Sequence, residues 1–180
     1  ALDPIHGFSK DCVDFANANR NVLLELKTKT ANISNLLKHR HNGNVIVSWS
    51  VNPQSYIEQE EHKCDPLSGR LAAARQCSDA GYPVAFHFDP LLHYPDWESE
   101  YENVVNEIAN RFKSREIAWI SLGTLRFTKE LKKISWERFP KSRLMTGEMF
   151  PSEDGKIRSF RPLREEIYRR MSGIVRNKLA

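Results

Sequence analysis

The sequence predicts an α/β protein: about four parallel strands with helices outside, the later part of a partial (β/α) barrel, then a C-terminal hairpin plus helix. Two observations predict it. Four hydrophobic runs, LLELKTKT (23–30), VIVSWSVN (45–52), VAFHFDP (84–90) and IAWISLGT (117–124), each end in polar residues, and helical patterns separate them. Beyond about residue 140 that alternation gives way to two extended stretches around an Asp-Gly turn and one long amphipathic segment. Barrels of this kind keep their chemistry at the carboxyl ends of the strands. Lys29, Ser50, Asn52, His87, Asp89 and Thr124 are therefore expected to converge on one rim.

Each element has a local reason. Asp3-Pro4 can cap and start a helix reaching about Ala18, with Ile5, Phe8, Val13 and Phe15 as its apolar contacts. Residues 22–28 form a strand only partly buried on its second face, because Glu25 and Lys27 alternate with leucines. A short helix over 32–39 ends at the Asn-Gly turn of HNGN (41–44). The β-branched run 45–51 is a strand, and Pro53 opens a helix to about Glu61. Leu67 to Ala80 has helical spacing and stops at Gly81. Pro83 to Phe88 is a strand ended by Pro90, residues 97–112 are a helix, and Ile117 to Leu122 are the fourth strand. A helix near 128–138, a hairpin around SEDGK (152–156) and a helix from Pro162 to Lys178 complete the chain. Trp49 and Trp119 read as core, Trp97 and Trp136 as helix packing.

The 180 residues suit a single domain, with β/α units over 1–140 and a C-terminal extension over 141–180. The opening ALDPIHG, without an initiator Met, reads as the interior of a longer protein. A formal charge of +4 permits a nucleic-acid partner without demanding one. Three scattered cysteines, Cys12, Cys64 and Cys77, make neither a disulfide framework nor a CxxC metal pair, and reduced thiols in the cytoplasm are expected. No apolar run approaches the roughly 20 residues that span a bilayer. Gly-rich phosphate loops, HExxH and the serine-nucleophile elbow are absent.

Several residues carry two readings. Strand alternation sends His87 and Asp89 to one face, where they can line a pocket, act as an acid–base pair or bind a metal, for which Glu148 is a candidate third ligand. The plainer reading is a loop cap at Asp89 and a cross-rim hydrogen bond at His87. Lys29, or Lys27 beside it, can hold an anion with the Ser50 hydroxyl, or can be solvated. Glu60-Glu61 and Arg70 face each other across a helix junction as a structural ion pair. Arg126 can reach an anion at the barrel mouth. Arg158, Arg161 and Arg164, interleaved with Phe160 and Tyr168, suit either a nucleic-acid contact or a solvated basic face.

The segments ELKTKTANISNLL, RHNGNVIVSWSVNP, GRLAAARQCSDAGYPVAFHFDP, DWESEYENVV, IAWISLGTLRF, ERFPKSRL and SFRPLREEIY, in this order, resemble the C-terminal half of the spore photoproduct lyase family of radical SAM proteins. The HFDP and SLGTLRF versions are more similar to the broader lyase-like branch. The resemblance implies a partial radical SAM-type barrel with S-adenosylmethionine at its mouth, contacted by Lys29 and Ser50. Asn52, His87, Asp89, Thr124 and Arg126 would line the rim. It also implies a [4Fe–4S] cluster held by a CxxxCxxC motif, a 5′-deoxyadenosyl radical and repair of thymine-dimer lesions in DNA. That motif has no match here, and Cys12, Cys64 and Cys77 do not occupy the family's places. This chain alone is thus expected to bind no cluster and to be inactive, the intact protein being the enzyme.

Two other functions remain in view: a non-catalytic β/α module binding nucleic acid through its arginine-rich C-terminus, and a metal-assisted hydrolase using His87 and Asp89. The partners expected are S-adenosylmethionine and DNA or a nucleotide-like substrate, with no membrane. An exposed strand edge at 22–28 would favour self-association.

Overall fold

The structure is a computed structural model and describes residues 3–179. Among them the chain runs α1 (Asp3–His6), α2 (Phe8–Ala18), β1 (Leu24–Thr28), β2 (Val45–Ser50), α3 (Gln54–Glu60), α4 (Leu67–Asp79), β3 (Val84–Leu91) and α5 (Trp97–Ala109). It continues through β4 (Ile117–Thr124), β5 (Arg126–Thr128), α6 (Lys129–Arg138), β6 (Met149–Pro151), β7 (Lys156–Ser159) and α7 (Arg161–Leu179). Strands β1 to β4 form a parallel sheet in sequence order, and β5, β7 and β6 form a small antiparallel sheet. Parallel neighbours joined through helices are the repeating unit of a barrel wall, as expected.

One face of the parallel sheet is the core. Val45, Val47, Trp49 and Val51 of β2 and its end lie beside Val84, Phe86 and Phe88 of β3, all without solvent exposure. The helices cover them with Leu67, Leu71, Ala74 and Cys77 from α4 and Tyr101, Val104, Val105 and Ile108 from α5. Ile167 and Met171 of α7 extend this layer. Aromatic edges set the spacing: the Phe86 and Phe112 centroids lie 5.2 Å apart in a T-shape. The Trp49 indole N–H donates to the Thr30 carbonyl at 3.0 Å, so its burial leaves no unmet donor.

Several expectations need correction. Gly7, at φ 65°, splits the first helix in two, and Asp3 accepts hydrogen bonds from the Ser9 amide and hydroxyl across the break. Of the four apolar residues assigned to that helix only Val13 is buried; Ile5, Phe8 and Phe15 are exposed. The helix over 32–39 is reduced to a 3₁₀ turn at Leu36–Lys38. Thr30 and Asn32 side chains hydrogen-bond nearby backbone amides and compete with helical pairing. Strand β3 runs through Pro90 to Leu91. The register slips between Phe88 and Leu91, so the missing proline N–H interrupts no regular ladder.

Trp119 is not core. The register between β3 and β4 shifts by one residue at Ala118, pairing Val84 with Ile117 but Ala85 with Trp119. This bulge carries Trp119 to the opposite face from Ile117. Trp136 does not pack between helices either: it is 52% exposed, and α6 has no buried residue. Trp97 does pack in the core. Strand β5, unforeseen, pairs Arg126 with Arg158 and makes the hairpin three-stranded.

Phe86→Ala is expected to lower unfolding free energy by about 3–5 kcal/mol. Leu131→Ala on α6 should change it by less than about 0.5 kcal/mol. Urea unfolding measures both, and equal losses would contradict the surface position of α6.

Candidate functional site

The other face of the sheet is polar along its length, not only at its rim. Alternation from Leu24 and Leu26 puts Glu25, Lys27 and Lys29 on this inner face. Ser48, Ser50 and Asn52 follow on β2 and its end, His87 and Asp89 on β3, and Trp119, Ser121 and Gly123 on β4 beyond the bulge. Glu25, Ser48 and Ser121 were not singled out from sequence, and Trp119 was assigned to the core instead of this face. The signal that could have found the first two is the same period-two pattern, followed back from the strand tips.

The carboxyl ends of β1 and β2 meet in a buried network. Glu61 Oε1 accepts from Lys29 Nζ at 2.7 Å and from the Asn52 amide at 2.8 Å, while Oε2 accepts from Arg70 at 2.6 Å. The Arg70 side chain is fully buried, and its remaining nitrogens donate to the carbonyls of Asp65 (2.7 Å) and Ser50 (2.9 Å). Asn52 in turn accepts from the Tyr101 hydroxyl at 2.9 Å. Burial pushes the Glu61 carboxyl up, but the Lys29, Asn52 and Arg70 bonds outweigh it and hold Glu61 below the ordinary carboxylate range. The expected pair is thus Glu61–Arg70. Glu60 instead accepts from the Ser142 hydroxyl and the Arg143 amide, tying down the segment after α6.

Deeper on the same face, His87 Nε2 and Glu25 Oε1 are 2.5 Å apart, with the Trp119 indole N–H directed at the same ring nitrogen at 3.5 Å. Burial raises Glu25, yet the adjacent Ser48 hydroxyl, His87 and Lys27 bring it below its ordinary value. Ser48 Oγ is fully buried, close enough to favour that carboxylate but without a partner in hydrogen-bond geometry. Asp89 lies 3.7 Å from Lys27 Nζ. Gly123 makes room for it: a Cβ there would stand 2.8 Å from Asp89 Oδ1.

Asp89, Ser121, Thr124, Arg126, Arg158 and Arg164 are brought together around a cavity of about 300 Å³, closed by Tyr168. The Thr124 amide donates to the Tyr168 hydroxyl at 3.0 Å, fixing α7 against the end of β4. Arg158 is paired in two contacts with Asp154, and Arg164 donates to the Ser159 carbonyl. Arg161 stands apart from the cavity, exposed and paired with Glu165 at 2.7 Å. The three C-terminal arginines therefore do not form one surface. A larger cavity, about 680 Å³, lies between α3, the loop after β3 and the residues before β6; it shares Thr124 with the first and contains Tyr56, Tyr94 and Glu148.

Glu148 is thus in the second cavity, away from Asp89, and His87 and Asp89 have separate partners in Glu25 and Lys27. Among the described residues no three His, Cys, Asp or Glu side chains gather as a metal-binding group. Cys12 on α2, Cys64 before α4 and Cys77 within α4 are on separate segments, so they do not fit a [4Fe–4S] cluster. Lys29 and Ser50 keep donors for an anionic ligand group. Lys29 Nζ gives one of its three N–H groups to Glu61, and the Ser50 hydroxyl has no hydrogen bond among the described residues. No helix among the described residues is long and apolar enough to cross a membrane.

A family model described as spore photoproduct lyase matches residues 1–157. The spore photoproduct lyase of Geobacillus sp. (strain Y412MC61) is 29% identical over 145 residues, covering 79% of this chain and 42% of that protein. That of Clostridium acetobutylicum is 27% identical over 138 residues, covering 77% and 41%. A solved spore photoproduct lyase double mutant with bound AdoMet and dinucleoside spore photoproduct aligns over 98% of this chain and 54% of its own, with TM-score 0.88 and 26% identity. The chain spans less than half the length of these curated relatives.

Glu61→Gln is expected to cost about 3 kcal/mol at pH 7, because Arg70 keeps its charge inside. Glu61 is lowered from an ordinary 4.5, so its contribution is complete above that value and fades as pH falls through the lower folded value. Urea midpoints between about pH 7 and about pH 3 should fall less steeply for the variant than for the parent chain. Parallel curves would remove Glu61 from the acid response.

Proposed function

This chain belongs to the spore photoproduct lyase family, and we propose that it supplies the wall of a radical SAM barrel that faces S-adenosylmethionine and a nucleotide-like substrate. One observation carries the reading: the polar inner face joins Lys29 and Ser50 through Glu61 and Arg70, and ends in an arginine-lined cavity.

In this family S-adenosylmethionine supplies the radical chemistry when bound. The residues here bind and orient. Lys29 takes the carboxylate of S-adenosylmethionine, its ammonium aimed by Glu61, and the Ser50 hydroxyl donates to the same group. Asn52, locked between Glu61 and Tyr101, positions Lys29 rather than touching ligand. His87 with Glu25 forms the polar floor. Arg126 and Arg164 offer cationic charge to a nucleotide phosphate, and Asp89 and Thr124 shape the cavity beside them. The parent protein would act on thymine-dimer lesions in DNA. The cluster that such chemistry needs finds no ligand set among the described residues, and we propose that the chain by itself is inactive.

Calorimetric titration tests the reading. The chain is expected to bind S-adenosylmethionine and the dinucleoside monophosphate form of the spore photoproduct, which carries the bridging phosphate, separably. Ser50→Ala and Lys29→Gln should weaken the first by about tenfold or more and leave the second unchanged. Arg126→Gln and Arg164→Gln should do the opposite. No binding of either compound, or variants indistinguishable from the parent, would overturn the assignment.

Anaerobic incubation with iron and sulfide should leave the chain without the visible absorbance of an iron–sulfur cluster. If that absorbance appeared with cluster stoichiometry, the inactive-alone reading would be wrong.

A further inference from the structure

The formal charge of the whole chain is +4, and the segment from Lys129 to Arg143 alone contains six Lys and Arg against two Glu. The rest of the molecule is therefore balanced, and its net charge resides on α6 and the five residues after it. On α7, by contrast, Arg161 pairs with Glu165, Arg169 and Arg170 with Glu166, and Lys178 with Glu102. In the 129–143 segment the sole ion pair among the described residues is Lys133–Glu137, at 3.9 Å. Lys129, Lys141, Arg138 and Arg143 are exposed and without a carboxylate partner among them.

The same helix buries nothing. Leu131, Ile134, Trp136 and Phe139 are about half exposed, and Lys132 Nζ sits 4.8 Å over the Trp136 ring. At 100° per residue Leu131, Ile134 and Trp136 spread over roughly 200° of the helix. That is too wide for the single apolar stripe of a helix lying in a membrane interface. Lysines interleaved with an exposed indole suit instead a phosphate backbone whose sugars and bases offer apolar surface.

Continuity with the cavity selects the occupant. Arg126 lines the cavity at the start of β5, and α6 begins three residues later, a span of at most about 10 Å. The helix itself is about 15 Å long, the rise of roughly four base pairs. We propose that α6 and the residues to Arg143 form a docking surface for the DNA duplex flanking the nucleotide held in the cavity. It binds through phosphates and without base specificity. This inference rests on the nucleotide reading of the cavity proposed above, and it transfers nucleic-acid contact from the C-terminal arginines to a helix that sequence analysis left as scaffold.

The test uses the 180-residue chain and a variant carrying Lys129→Gln, Lys132→Gln, Lys133→Gln and Lys141→Gln. Fluorescence anisotropy with a lesion-free duplex of about 20 base pairs, between about 50 and 200 mM salt, gives affinity and salt slope. The parent is expected to bind with a steep slope. The variant should lose about tenfold or more in affinity and about three units of slope, with its melting temperature and its affinity for the dinucleoside of the preceding test unchanged. A variant with the parent's slope would overturn the inference while leaving the cavity reading intact, as would a parent that binds the dinucleoside but no duplex. A parent that binds neither sinks both. Phosphatidylserine vesicles that bound the parent better than duplex would replace DNA by a membrane and also overturn the inference.

Discussion

Everything at the open end of the sheet depends on one buried carboxylate. Glu61 sits where three cationic or amide donors from β1, β2 and α4 would otherwise face each other without compensation. Arg70 cannot be deprotonated and has no exposed surface, so its charge must be matched inside. Matching it there fixes the position of Lys29, Asn52 and the Ser50 carbonyl at once. Asp65 repeats the device one turn later, accepting from the Thr30 hydroxyl and the Ala31 amide. The strand ends are held by charge and hydrogen bonds because their apolar contacts are spent on the opposite face.

This division of faces explains what could and could not be read from the chain. Strands β1 to β4 and helices α3, α4, α5 and α7 follow from hydrophobic period and turn chemistry, and the structure places them within a few residues of expectation. The Glu61–Arg70 pair was legible because both residues flank a helix junction. Trp119 was not, since a single extra residue at Ala118 inverts the parity on which the core assignment relied. Trp136 failed for a related reason: a large ring suggests burial only when a neighbouring layer exists to cover it, and α6 has none. The clustering of Arg126, Arg158 and Arg164 needs a third strand, β5, whose three residues carry too little period to be recognised.

Charge is partitioned as sharply as polarity. The inner face balances its lysines with Glu61 and Asp89, and α7 pairs Arg161, Arg169 and Arg170 with its own Glu165 and Glu166. The excess of positive charge over carboxylates lies on α6 and the residues to Arg143, and Arg126 and Arg164 line the cavity without an ion pair among the described residues. Balanced regions serve the fold, since pairing them costs no long-range repulsion. Unbalanced ones are available to an outside anion.

The small antiparallel sheet has little freedom to swing. Leu125 alone separates β4 from β5, and Phe160 alone separates β7 from α7. Tyr168 of α7 then returns to Thr124 at the end of β4, while the Arg164 amide and guanidinium hold the Phe160 and Ser159 carbonyls. The path from β4 through β5, β7 and α7 back to β4 is a closed ring with two single-residue joints, one strand pairing and one hydrogen-bonded return. The small sheet is thus anchored to the end of β4 from both sides, through the chain at Leu125 and through Tyr168.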